Sequence, residues 1–214
     1  MSKNKFDKSI KFLKELFVDN QSALEALDVL VKEADHLDFT VSKKSSTAEF
    51  SAPENLKTEG YAVYSDGACR GNPGPGAWGM VAQNWKGEVI FFDSAVDEET
   101  TNNRMELQGA IEGLRTLLEY YENNNIPSET ETRLVSDSKY VLDGISKWVP
   151  GWKARGWKKA DKKVPENVEQ WKILDELVSE FKNIDYEWVR GHQGHPQNEY
   201  CDQLANEALD SEGY

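Results

Sequence analysis

From Gly71 to Gly76 the chain reads Gly-Asn-Pro-Gly-Pro-Gly. Such a segment favours neither a helix nor a central strand. Proline fixes φ and lacks an amide donor, and glycine holds no preferred conformation. The run is therefore a turn, and the question is what it joins. Before it, Tyr61–Tyr64 is aromatic and β-branched and reads as a strand. That strand delivers Asp66 at its carboxyl end, where Gly67 is expected to stop the pairing, and Ala77 opens a second strand. An acid at a strand end beside a glycine-rich turn is held rigidly and open to solvent. A metal ligand can meet a polymeric substrate there. The plainer reading is a hairpin whose Asp caps its own turn.

The rest of the chain places that hairpin. Tyr61–Asp66, Ala77–Asn84 and Glu88–Ala95 form an antiparallel meander by local logic. A helix from about Asn102 to Tyr121 follows, then a strand Thr132–Ser136 ending at Asp137. A short helix starts near Ser138, and a longer one spans about Pro165 to Lys182. A fifth strand Asp185–Arg190, a His-Gly loop and a helix from about Asn198 to Asp210 complete the pattern. Strands followed by strand–helix alternation predict an α/β fold, a mixed sheet with helices packed on it. Ahead of it, Phe6, Ile10, Leu13 and Phe17 recur at helical spacing, as do Leu24, Leu27, Val31 and Ala34. Ser22 and Glu25 fit a capping box for the second of these helices. The expected organisation is a helical extension over residues 1–41, a linker over 42–58 and a main domain over 59–214. Phe39–Val41 is a possible short strand, and His36 reads as a helix-end residue. About forty residues bury little core alone. The hairpin should therefore dock on the main domain, on a second copy or on a partner.

Position selects four acids from the chain's 38. Asp137 follows its strand as Asp66 follows the first. Parallel neighbours would bring both to one edge, where ligands of such sheets gather. Glu106 shares a helical stripe with Gly109, Ala110 and Gly113, whose small side chains let the helix press on the sheet. Asp202 lies early in the last helix. Four converging carboxylates repel unless a cation sits among them. Hard oxygen ligands suit Mg²⁺ or Mn²⁺. Two such ions can activate a water and stabilise the leaving oxygen of a phosphodiester. The competing reading is four helix caps on solvated faces.

The formal net charge of −13 argues against a nucleic-acid binder, since phosphate contacts need cations. One stretch departs from it. Lys147, Lys153, Arg155, Lys158, Lys159, Lys162 and Lys163 stand against Asp161 alone, interleaved with Trp148, Trp152 and Trp157. Phosphate binding with indoles packed on sugars and bases is one reading. An amphipathic helix whose tryptophans are core, Trp157 above all, is the other. No apolar run reaches membrane-spanning length and no signal-type segment follows the amino terminus. With two cysteines the expectation is a reduced, cytoplasmic protein without a membrane.

Six motifs taken together resemble a known family. They are Ser65–Cys69, Gly71–Gly76, Thr101–Leu107, Ser136–Ser138, Gly151–Lys158, and Gly191–Pro196 before Cys201-Asp202. In this order they are similar to the type 1 ribonucleases H of bacteria. The resemblance covers about residues 60–210. It implies a ribonuclease H-like five-stranded mixed sheet flanked by helices. The implied activity is endonucleolytic hydrolysis of the RNA strand of RNA–DNA hybrids, leaving 3′-hydroxyl and 5′-phosphate ends, with two Mg²⁺ or Mn²⁺ ions. Asp66, Glu106, Asp137 and Asp202 match the family's metal-binding acids, and His192 its catalytic histidine. His195 reads as structural. Tyr140, Trp148 and Trp152 match the DNA channel, with Lys153, Arg155, Lys158 and Lys159 on the basic protrusion. Asn72, Asn102 and Asn103 match residues at the 2′-hydroxyls, whose amides both donate and accept. Thr101 and Asn167 match a DNA-phosphate pocket. Two positions depart from the pattern: Glu99 where relatives often carry Arg, and Lys139 where a neutral residue is usual. The extension over residues 1–58 lies outside the resemblance.

Overall fold

The computed structural model describes residues 3–18, 20–34, 50–54, 56, 59–191 and 193–214. The expected strand at 39–41, His36 and His192 lie outside them. The chain divides into two compact units, residues 1–47 and 48–214.

In the first unit α1 (Lys3–Leu16) and α2 (Gln21–Ala34) form a hairpin. Ile10, Leu27 and Ala34 are buried in it, and Lys14 pairs with Asp28 at 2.9 Å. The second helix starts one residue ahead of Ser22. Asn20 Oδ1 accepts from the amide of Ala23 and takes the capping role expected of Ser22. Phe12, Leu16, Val29 and Leu30 remain exposed on this unit.

The second unit is built on one sheet of order β3-β2-β1-β4-β5. Its strands are β1 (Tyr61–Cys69), β2 (Gly74–Asn84), β3 (Val89–Thr100), β4 (Thr132–Ser136) and β5 (Ile184–Trp188). β1 pairs β2 antiparallel and β4 parallel, and β4 pairs β5 parallel. The hairpin is longer than the sequence suggested. Gly67 does not end it, since Gly67, Ala68 and Cys69 pair Trp78, Ala77 and Gly76. What ends near Asp66 is the parallel ladder, whose last pair is Tyr64 with Val135. Asp66 thus sits at a strand end on one side and inside a ladder on the other.

Helices cover both faces, and glycines set how closely. α3 (Asn102–Asn123) lies over β1 and β2. A Cβ at Gly113 would stand 2.5 Å from Val63 Cγ1, and one at Gly67 the same distance from the Glu106 amide. α7 (Pro196–Ser211) covers the other face, where a Cβ at Gly79 would meet the Cys201 carbonyl at 2.1 Å. Ala62, Tyr64, Val81, Val135, Val189 and Cys201 form the core beneath it. α4 (Lys139–Asp143) runs through a π-helical turn, Gly144–Trp148, into α5 (Val149–Ala154). α6 (Val168–Glu180) packs on α3 and starts later than expected, because Asn167 before it is left-handed at φ 55°. None of the described helices is long and apolar enough to cross a membrane.

Part of the expected linker is not one. Residues 50–54 and 56 lie on the second unit, with Phe50 and Leu56 against the α7-side core.

Candidate active site

The sheet and α3 bring three acids together. Asp66 at the end of the parallel ladder, Glu106 in the second turn of α3 and Asp137 just past β4 each offer an oxygen, all within 4.8 Å of one another. The close approach at Gly67 seats Glu106 there, because any side chain at that position would push α3 off the strand. On the other side Gly191 faces Asp137, and a Cβ would stand 2.0 Å from Oδ2. The Trp188 indole donates to the Asp137 carbonyl at 2.9 Å, and the Lys139 ammonium lies 4.6 Å over that ring. Asp202 does not join the group of three. It lies half-buried on α7, where Asn206 donates to its Oδ1 at 2.9 Å. Even so, its charge is near enough to raise the Asp66 carboxyl.

The site is more buried than a strand end on the surface would be. Asp66 is only 6 % exposed and Glu106 8 %. Burial, then the neighbouring Asp137, pushes Asp66 up to about 7, although the Gly67 amide and the Asn198 side chain donate to it. Burial, then Asp66 and Asp137, raises Glu106 well above the usual carboxylate range. Glu106 Oε1 accepts from Asn102 at 3.1 Å and the Ser138 side chain is near enough to favour the charged form, while buried Oε2 makes no hydrogen bond of good geometry. At this spacing two full charges repel by about 3 kcal/mol at an effective dielectric near 20. Protons or cations must offset that. The buried Oε2 and the all-oxygen donor set fit a hard divalent cation.

The expected substrate residues fall into local groups, of which the asparagines reach the acids through Asn102 and Glu106. Asn72 Oδ1 accepts from the Asn102 amide at 3.4 Å, tying the glycine-rich turn to the start of α3 beside Asn103. Thr101 precedes α3 and makes no side-chain capping bond. Asn167 lies apart from Thr101 in sequence and donates to the Tyr140 hydroxyl at 3.0 Å. Tyr140 meets Trp148 edge-to-face and Trp148 meets Trp152 at a tilt, with centroids 5.9 and 6.0 Å apart, and Trp152 packs edge-on against the fully buried Trp171. Trp171, not Trp157, is the tryptophan buried beneath this cluster. Trp157 is half-buried at φ 61°, in the turn where its amide donates to the Trp152 carbonyl. Of the basic residues, Lys153 pairs with Asp175 at 2.7 Å and Arg155 Nε donates to the Lys158 carbonyl; Lys158 is exposed and Lys159 half-buried. Asn198 and Gly191 were not foreseen as site residues, although both border the histidine motif.

Comparison with known proteins bears on the same stretch. The RNase H family model matches residues 58–210, so residues 50–56 fall outside the match. Ribonuclease H of Erythrobacter litoralis is 50 % identical over 148 residues, 69 % of this chain and 94 % of its own. That of Alcanivorax borkumensis is 49 % identical over 148 residues, 69 % of this chain and 90 % of its own. Among solved structures, RNase H1 of the halophilic archaeon Halobacterium salinarum shares the fold at a TM-score of 0.54 and 28 % identity, covering 71 % of this chain and 98 % of its own. LC11-RNase H1, solved in complex with an RNA/DNA hybrid, gives 0.56 and 26 %, with 71 % and 98 % covered. A match of this extent, falling on the strands and helices that carry the three acids, places the chain in the RNase H family.

Proposed function

We propose that this chain is an endonuclease that hydrolyses the RNA strand of RNA–DNA hybrids, leaving 3′-hydroxyl and 5′-phosphate ends. The observation that carries the reading is the convergence of Asp66, Glu106 and Asp137 within 4.8 Å in a family member. Asp66, Glu106, Asp137 and Asp202 would hold two Mg²⁺ or Mn²⁺ ions. When bound, such ions supply an activated water and charge stabilisation at a phosphodiester. The chain's own residues orient the strands around that point. Asn72, Asn102 and Asn103 stand at the turn–helix junction beside Glu106, where amides can recognise 2′-hydroxyls. The aromatic cluster of Tyr140, Trp148 and Trp152, with the neighbouring cations, would offer aromatic surface and positive charge to the DNA strand. Thr101, its hydroxyl unused by the helix, and Asn167 serve a phosphate. His192 takes or passes a proton, a role suited to an imidazole near neutral pH.

Cys69 and Cys201 are free thiols, in keeping with a cytoplasmic setting. The hairpin's exposed Phe12, Leu16, Val29 and Leu30 are the surface for a partner, a second copy or the catalytic unit.

The test is cleavage of a hybrid labelled on the RNA strand, with Mg²⁺ or Mn²⁺, by the full chain and by Asp66→Asn. Metal-dependent RNA cuts that vanish in the variant are expected. A hybrid retained but never cut with either metal would leave a binding module.

A further inference from the structure

We infer that residues 50–54 are a strap that positions the first turn of α7, and with it Asn198 against Asp66, through Gln197. The inference rests on the nuclease reading for its consequence in turnover, but not for its geometry.

The strap is fixed at three points. Gln197 Nε2 donates to the Ser51 carbonyl at 3.1 Å and to Gln83 Oε1 at 2.8 Å, which uses both of its amide hydrogens. Gln83 is fully buried and in turn donates to the Gly87 carbonyl at 2.7 Å. Arg133, four residues before Asp137, donates to the Glu54 carbonyl at 2.6 Å. The Phe50 ring lies 5.3 Å from that of Tyr200, and Pro53 is buried. The strap also crosses the turn after β2 so closely that a Cβ at Gly87 would stand 2.9 Å from the Phe50 carbonyl.

The helical spacing gives this contact its meaning. Gln197 and Tyr200 are three residues apart and share a face of α7, which meets the strap. Asn198 and Asp202 are four apart on the adjoining face, which meets the acids. Asn198 is 2 % exposed, and its Nδ2 donates to Asp66 Oδ2 at 3.3 Å. One rigid turn of helix therefore carries both sets of contacts. Without the strap, Gln197 would keep a buried donor with no acceptor, and the turn would relax toward another one. A shift passed to the next residue displaces the donor on Asp66 and the end of the loop that leads into α7.

The experiment uses the full chain. Gln197→Met keeps the side-chain length and removes both donated bonds. Phe50→Ala removes the strap's ring contact with Tyr200 without changing any residue of α7, and Phe50→Leu retains its apolar packing. For Gln197→Met and Phe50→Ala, kcat on the hybrid should fall about ten-fold while KM stays within about two-fold. Phe50→Leu should restore most of the loss. The double variant Phe50→Ala/Gln197→Met should be no slower than the worse single one, because both release the same turn of α7 from the strap. Amide hydrogen exchange over residues 193–202 should quicken in Phe50→Ala at temperatures well below melting. Wild-type kcat in Phe50→Ala, penalties that multiply in the double variant, or unchanged exchange would each overturn the strap. Exchange is read without substrate. Faster exchange in a chain whose wild type cuts no hybrid would support the strap and overturn the nuclease.

Discussion

Gly191 stands so close to Asp137 that a methyl group on its α-carbon would lie 2.0 Å from Oδ2. The loop before α7 thus packs against one of the three clustered acids, and it can do so only without a side chain. Gly191→Ala forces the carboxylate to turn or the loop to retreat. A displacement of about 1 Å at a reacting centre costs up to about 100-fold in rate. We expect kcat to fall ten- to hundred-fold and the melting temperature to move by only a few degrees. Hybrid cleavage at the wild-type rate by Gly191→Ala would show that Asp137 is not held by this contact.

The burial of Asp66 makes the metal-free protein sensitive to pH in a definite direction. Its carboxyl is pushed from the ordinary 3.8 to about 7, by burial first and Asp137 second. Between those values the folded chain keeps a proton that the unfolded chain releases, so stability falls as pH rises. Asp66→Asn removes that penalty. In chelator the variant should exceed the wild type by roughly 2–4 kcal/mol at pH 8, with no advantage near pH 4. Urea unfolding at both values checks this; equal stabilities at pH 8 would place Asp66 in a far wetter site.

Asp202 sets a third expectation, because it lies outside the group of three while Asn206 holds its carboxylate. Cation binding raises the melting temperature in proportion to the logarithm of free metal once the site fills. With Mn²⁺, Glu106→Gln should abolish the rise, since it removes the negative charge of the buried carboxylate from the cluster. Asp202→Asn should keep most of the rise while lowering cleavage. The reverse ranking in a thermal titration would make Asp202 the principal ligand.

Legibility in the sequence followed how local the cause was. The end of β4 before Asp137 and the small stripe at Gly109 and Gly113 were readable from local pattern. Four acids were expected at one edge, and the structure groups three of them. Gly67 was misread, because its local tendency to break a strand yields to pairing with Trp78 and to the need for α3 to approach. Trp157 was misread as core, because nothing near it shows that Trp171, from a helix further on, fills that space. Residues 50–54 look like linker by composition. Their polar anchors are backbone carbonyls, which carry no residue identity, and the partners Gln197 and Arg133 lie 79 to 146 positions away.

Glu99 gives the last expectation. It is exposed at the end of β3, two residues before Thr101, which is half-buried and makes no side-chain capping bond. A helix amino terminus attracts an anion, and an acid nearby opposes it. Glu99→Arg changes the local charge by two in a chain of net charge −13. Binding to phosphates releases counterions, so the gain should be largest at low salt. We expect the hybrid Kd, measured by fluorescence anisotropy in chelator, to fall about three- to ten-fold at low salt. The gap should narrow as salt rises, with a steeper salt slope for the variant. A Kd unchanged at low salt would mean that Glu99 points away from the bound backbone. Tightening of equal size at every salt concentration would assign the gain to something other than a phosphate contact.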